Sequence, residues 1–449
     1  MRLKHIGLGV IITLVAVVVY YVFFGASQLT QELKAEVNRE LQTLESQGFM
    51  IEDREVSESK EHFEIVFDDT EKITDYLNAQ GAVLTEEESA SLKGMKVGVD
   101  LAYLQDAYSA ISFDLYPTTL PDTFTQGELT DEEKNRLAKI NRLLQAKTFL
   151  LHMDINKMLD GFKGYLKDID ETFGEPGEEV TMQMRAMHFE GKIDGQQVSS
   201  VDQRLESFLI KAEEVLSIEL TGIKSSYRLT GSTRYDVTAG YSVEKLSFNE
   251  TMMQGMRSIT IDHIEANTTT VISKNLAESE LSTKIETIET IEENRTNKVT
   301  DLALNIKISN LDINAFEALQ QTDPAEEEKI DKIVQEIISK GVSIELPNLS
   351  VERLYTQRKE MDGFALNAKV DIDKNLDLSV LQANPMVGIS AIKADLTLSL
   401  SETVHTFLSQ QPQALIAMMM FQPKEENGHK IYQIRLENGV LTVNGVAMQ

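Results

Sequence analysis

Apolar residues follow three patterns along this chain: an unbroken run, a helical period and a strand period. Ile6 to Phe24 (IGLGVIITLVAVVVYYVFF) is nineteen residues without a charge. At ~1.5 Å rise per residue it reaches roughly 28 Å, close to the hydrocarbon thickness of a bilayer. A buried core helix would have a polar face, and a cleaved signal peptide usually carries a shorter apolar region, although Gly25-Ala26-Ser27 offers the small residues of a cleavage site. The run therefore predicts an uncleaved membrane anchor marked by Ile6, Leu8, Val10, Leu14, Val18, Tyr20, Tyr21 and Phe24. Arg2, Lys4 and His5 precede it, and Glu32 and Glu36 follow. The positive-inside rule then keeps the N-terminus cytoplasmic and exports the remainder.

Leu29, Leu33, Val37, Leu41 and Leu44 recur at helical spacing and stop at Gly48, which predicts a helix with a glycine cap. Core packing is the commoner reason for so narrow a stripe, and pairing with a second copy is the alternative. From about Phe63 the period becomes two. Lys96–Leu101 (KVGVDL) and Ile111–Leu115 (ISFDL) read as strands, and Thr130 followed by three acids caps a helix through about Ala146. Residues 174–179 (GEPGEE) mark a linker.

Beyond the linker, Leu302, Leu304, Ile306 and Ile308 share one strand face, and Ala391–Leu400 repeats the pattern. Asp323-Pro324 before three glutamates predicts a helix ending at Gly341. Another helix follows Ser401 and is interrupted near Pro412. Lys430–Leu436, the turn Glu437-Asn438-Gly439 and Val440–Val443 form a hairpin signal. Half-buried alternation of this kind favours antiparallel sheets. The expected class is α+β: an N-terminal transmembrane helix followed by an elongated, mainly antiparallel β-sheet body with short interspersed helices. Its expected parts are a cytoplasmic tip and anchor (1–27), a juxtamembrane helix (28–48), an N-terminal α+β region (49–180) and a C-terminal β-rich region (181–449).

Charge narrows the partners. With 72 acidic and 43 basic residues, the net charge is -29. Such a surface repels polyanions, so nucleic acid is not an expected partner, and solubility is the plain reason for the acidity. The chain has no cysteine, which removes disulfides, thiolate metal sites and cysteine nucleophiles.

The remaining motifs carry little chemistry. Asp371, Asp373, Asn375 and Asp377 have the oxygen spacing of a calcium loop, but Leu376 stands at its glycine position and Gln382 at its glutamate, so a strand-edge turn is the better reading. The histidines at 5, 62, 152, 188, 263, 405 and 429 include no pair at metal-ligand spacing. Neither a nucleophile elbow nor a phosphate loop is present. No catalytic residue, metal ligand or cofactor is expected. Met418, Met419 and Met420 could line an adaptable apolar groove, though filling a core is the commoner use of such a cluster.

Three segments resemble a known family. They are Ile308-Ser309-Asn310-Leu311-Asp312 with Ala315-Phe316 and Leu319, then Gly341–Val351, and the closing Ile431–Gly445. Together they look like the YdgA/YihF-like bacterial proteins of unknown function and, more distantly, AsmA-like proteins. The resemblance implies a protein of the bacterial inner membrane with a periplasmic body. It brings no catalytic residues. The expected function is non-enzymatic: β surfaces that bind lipid or another envelope component. An oligomeric scaffold and a carboxylate-dependent envelope hydrolase are the alternatives.

Overall fold

The structure is a computed structural model that describes residues 30–449 apart from 80–84, 105, 125–129, 175–178, 196, 213–214, 253–254, 294, 321, 323–325, 357–358, 384–387, 412–417, 419–420 and 449. The chain divides into two compact units, residues 1–213 and 214–449.

In the first unit, α1 (Thr30–Ser46) leads into β1 (Phe49–Val56) and β2 (Lys60–Phe67). Two short helices, α2 (Thr70–Ala79) and α3 (Glu86–Ala90), precede β3 (Lys96–Tyr103) and β4 (Ser109–Thr119). After α4 (Asp131–Gln145) come β5 (Leu151–Asn156), β6 (Gly161–Leu166), β7 (Ile169–Phe173), β8 (Val180–Arg185), β9 (Met187–Asp194) and β10 (Gln197–Ala212). The strands form an antiparallel meander in which β6 pairs with β9, β7 with β8, and β10 with both β8 and β9. The 174–179 stretch therefore joins two paired strands, β7 and β8.

Alternation decides which face carries the core. Phe63, Ile65 and Phe67, then Val97, Val99 and Leu101, then Phe113 and Leu115, then Met153 and Ile155 all turn to one side and are buried. Val37, Leu41 and Leu44 of α1 and Ile73 and Leu77 of α2 pack into the same cluster. Over Val37, Leu41 and Leu44 the helical stripe is thus a core stripe, and Gly48, at φ +96°, turns the chain from α1 into β1. Thr130 caps α4 as expected and does so with a reciprocal box: its hydroxyl accepts from the Glu133 amide at 3.2 Å, and Glu133 accepts from the Thr130 amide at 2.9 Å. Thr130→Ala is expected to destabilise the first unit by about 1 kcal/mol, read from urea denaturation.

The second unit contains β11 (Leu216–Leu229), β12 (Val237–Met252), β13 (Gly255–Ser273), β14 (Leu276–Glu292) and β15 (Arg295–Asp312). Two helices, α5 (Ile313–Gln320) and α6 (Glu327–Ile338), separate β15 from β16 (Ser343–Thr356) and β17 (Lys359–Ile372). Then follow α7 (Leu378–Ala383), β18 (Ile392–Ser401), α8 (Glu402–Leu408), β19 (Lys424–Glu426), β20 (His429–Glu437), β21 (Val440–Val443) and β22 (Val446–Ala447). β11 to β18 pair in chain order, and β20 then joins β18. Asn438 and Gly439, at φ +52° and +75°, make the predicted closing turn. Ser401 caps α8 as its sequence suggests. For α6 the cap differs from the Asp323 expectation. Glu326 is the N-cap and makes no side-chain capping bond, while Glu327 and Glu328 place acids at the positive end of the helix dipole.

The α+β expectation with a transmembrane helix is corrected. Strands dominate the described residues, and among those residues no helix is long and apolar enough to cross a membrane. The anchor residues Ile6 to Phe24 lie outside the described residues. The underestimate of strand has a physical cause. β10 to β17 run for 14 to 19 residues each, longer than the patches of clean alternation suggest.

In seven consecutive strands the apolar alternation slips by one residue: Leu220/Ile223, Val243/Leu246, Ile261/Ile264, Ile285/Ile288, Val299/Leu302, Val351/Leu354 and Met361/Phe364. In a regular strand such a slip would turn the second residue of each pair to the opposite face. Here cross-strand pairing breaks at the slip instead, and resumes beyond it in the same register. Leu220, Leu246, Ile261, Ile288, Val299, Leu354 and Met361 form one cross-strand row. Beyond the slip, Val243, Ile264, Ile285 and Leu302 form a second row. Gly222, His263 and Asp301 take positive φ at the slip. A period-two reading treats each slip as a strand end. The resumed pairing makes it the middle of a longer strand.

Candidate functional site

Two surfaces collect side chains in ways that could bind something. The first is the apolar face of the second unit. Of the seven residues in its longest row, Met361 is buried and the other six are half-buried. No charged residue interrupts this row or the shorter one beside it. At about 4.8 Å between strands, seven positions span roughly 29 Å. α5 and α6 lie against β15, and α8 lies against β17, β18 and β20. At that last end Met361, Leu400, Val404 and Tyr432 close into a small core. At the slip itself stand the exposed Glu244, His263, Glu286 and Glu352, with His263 Nδ1 2.8 Å from a Glu286 carboxylate oxygen.

The second surface is the sheet face of the first unit opposite its core. Register places His62, Asp100, Asp114, His152, Tyr165 and His188 directly across from one another on successive strands β2, β3, β4, β5, β6 and β9. An open cavity of about 500 Å³ lies at one end of this row, lined by Glu61, His62, Asp100, Ser112, Asp114 and His152 among others. His62 Nδ1 lies 2.7 Å from Asp100. Lys147, in the turn after α4, donates to the other Asp100 oxygen at 2.6 Å, and the Tyr116 hydroxyl donates to it at 3.0 Å. Burial pushes the Asp100 carboxyl up, but the bonds from Lys147, His62 and Tyr116 outweigh it and hold the group below its usual range.

His152 is held from both sides. Its Nδ1 is 2.7 Å from Asp114 and its Nε2 3.4 Å from Asp154, and its ring stacks on Tyr165 at 4.9 Å. Ser109 and Ser112 donate to the far oxygen of Asp154 at 2.8 and 2.5 Å. The bond to Asp114 raises the His152 pKa above its ordinary value despite burial, and Asp154 adds to the rise. Below the row, the buried Glu61 accepts from the Tyr103 hydroxyl at 2.8 Å and from Arg54 at 2.7 Å. Burial and the Glu61 carboxylate together push the Tyr103 hydroxyl well up. Glu61→Leu removes both acceptors and is expected to destabilise the first unit by about 3 kcal/mol, measurable by thermal melting.

Sequence reading missed this row because its members are distant in the chain. His62 and Asp100 are 38 residues apart, as are Asp114 and His152, and only the strand register brings them together. The one local signal is a polar residue between buried apolar neighbours at Asp100, Asp114 and His152, as in Ile-Ser-Phe-Asp-Leu at 111–115.

Met418 is half-buried, and Met419 and Met420 lie outside the described residues. Asp373 accepts from the Asn375 amide at 2.8 Å and Asp377 from the Ser379 amide at 2.8 Å, the bonds of local turns. Asp371 accepts from Ser343 on β16. Among the described residues no group of three or more His, Asp or Glu side chains is arranged to hold a metal ion.

A family model described as a bacterial protein of unknown function, DUF945, matches residues 165–449, from within β6 through the whole second unit. No curated protein matches the chain, and no solved structure does.

Proposed function

The chain belongs to this bacterial family of unknown function, and from that premise we propose that it binds the acyl portion of lipids on the apolar face of its second unit. The observation that carries the proposal is the uninterrupted seven-residue row from Leu220 to Met361, set directly across seven successive strands by their register. Apolar residues left half-buried in a row this long gain from an apolar ligand, at about 0.8 kcal/mol per buried methylene. An acyl chain reaches about half of a bilayer's ~30 Å hydrocarbon core, so a row of roughly 29 Å can hold one along its length.

The uncharged segment 6–24 and its basic flank support a place at the bacterial inner membrane, with the body in the periplasm. The finer likeness to YdgA/YihF-like and AsmA-like proteins belongs to the same proposal. A net charge of -29 favours partners other than nucleic acid. Two observations favour lipid binding over the alternatives. A scaffold built through the juxtamembrane helix needs its stripe free, whereas Val37, Leu41 and Leu44 are buried in the first unit's core. A carboxylate hydrolase needs an acid held protonated, and Asp100 is held the other way.

Binding of a fluorescent long-chain fatty acid tests the reading. Ile261→Thr with Ile288→Thr keeps β-branched residues in both strands while removing apolar surface from the centre of the row. We expect saturable binding that weakens about tenfold in the double variant. Equal binding by both proteins would contradict the proposal, as would no binding to either.

A further inference from the structure

We propose that the polar row of the first unit is a proton-responsive latch, in which protonated His152 ties β4 and β5 together and loss of its proton loosens them. An ionised carboxylate only accepts, and a neutral imidazole has one N–H to give. His152 presents one ring nitrogen to Asp114 and the other to Asp154, so only the imidazolium can donate toward both.

The surrounding charges make the proton matter further. Asp100 and Asp114 stand directly opposite each other on β3 and β4, and like charges so placed repel. Lys147 offsets Asp100, and His62 Nδ1 lies 2.7 Å from it. Asp114, on the next strand, has His152. Every other group facing the imidazole has its own placement. From β4 comes the Ser112 hydroxyl, bonded to Asp154. From β6 come the Tyr165 ring, stacked on His152, and Lys163, opposite Asp154 and over the Tyr108 ring. From β9 come His188, beside Tyr165, and Glu190, opposite Lys163. Lys167, beyond β6, donates to the Ala146 and Lys147 carbonyls. Deprotonating His152 therefore leaves Asp114, Asp154 and Asp100 close together with one fewer cation among them.

A histidine whose pKa is raised by folding contributes stability that is complete below its unfolded value, near 6.5, and is lost as pH rises through the higher folded value. The first unit should therefore hold β4 and β5 most tightly in mildly acidic solution and loosen through neutral and mildly alkaline pH.

Hydrogen exchange of the full-length chain, followed by mass spectrometry and corrected for the intrinsic pH dependence of exchange, tests this between pH 5.5 and 9. Amides of β4 and β5 in the wild-type protein are expected to lose protection as pH rises, by up to about tenfold per pH unit. Amides of β12 to β14 serve as an internal reference and should show no such trend. His152→Gln should abolish the pH dependence while leaving the fold intact. Asp154→Asn, which spares the shorter bond to Asp114, should reduce the dependence without removing it, and keeps the test decisive if the glutamine variant does not fold. A flat wild-type profile would overturn the proposal, and so would an unchanged slope in either folded variant.

Discussion

Replacing Gly363 by alanine is expected to destabilise the second unit by about 3 kcal/mol or more, and to unfold it if its margin is smaller. Gly363 sits in β17 between Asp362 and Phe364, at the level where the apolar alternation slips. A Cβ there would lie 1.6 Å from the Val351 carbonyl oxygen, 2.5 Å from its carbon and 2.8 Å from the Glu352 oxygen. All three are backbone atoms of the paired strand, which cannot rotate aside as a side chain would. The close approach is what lets β16 and β17 keep Val351 opposite Phe364 beyond the slip. Gly240→Ala is the control. Its Cβ would meet only the side-chain oxygens of Asn267 and Ser226, both at 3.0 Å, and alanine restores strand backbone preference. Its effect should stay under about 1 kcal/mol. Guanidinium unfolding curves, with proteolysis of β16–β17 assigning the transition, measure both.

Phe113→Ala should destabilise the first unit by about 3 to 5 kcal/mol, because the ring is 1 % exposed at the centre of the main core. Around it lie Phe63, Leu101, Leu115 and Met153, side chains fixed to neighbouring strands that cannot all move into the space. For a unit of this size, 3 kcal/mol lowers the melting temperature by roughly 10 °C. The same strand carries Ser112 and Asp114 on its other face, where they bond Asp154 and His152. Loss of the ring should therefore also weaken the pH response of β4 and β5. A drop of only a degree or two would mean that the core tolerates a hole there.

Some of this architecture could be read from local chemistry alone. Helix α1 announces itself by Val37, Leu41 and Leu44, α4 by Thr130 and the three acids after it, and the closing hairpin by Asn438-Gly439, because each is decided within a few neighbouring residues. The seven slipped pairs are equally visible in the chain, yet only partner strands reveal them as one line: Ile261/Ile264 alone looks like an interrupted strand, and only its register with Ile285/Ile288 and Val299/Leu302 makes it a break within one strand. The His62–His188 row was not legible. Its residues are ordinary outward positions until β2 to β9 are aligned, and a one-residue change of register would disperse them.

The most direct test of the central claim is mass spectrometry of lipids that co-purify with residues 28–449, expressed without the preceding segment and never exposed to detergent. Acyl lipid in stoichiometric amount, absent from an identically treated acidic control protein and diminished by Ile261→Thr with Ile288→Thr, is the predicted result. A folded protein free of lipid would contradict it, and would turn the search toward a protein partner for the apolar face.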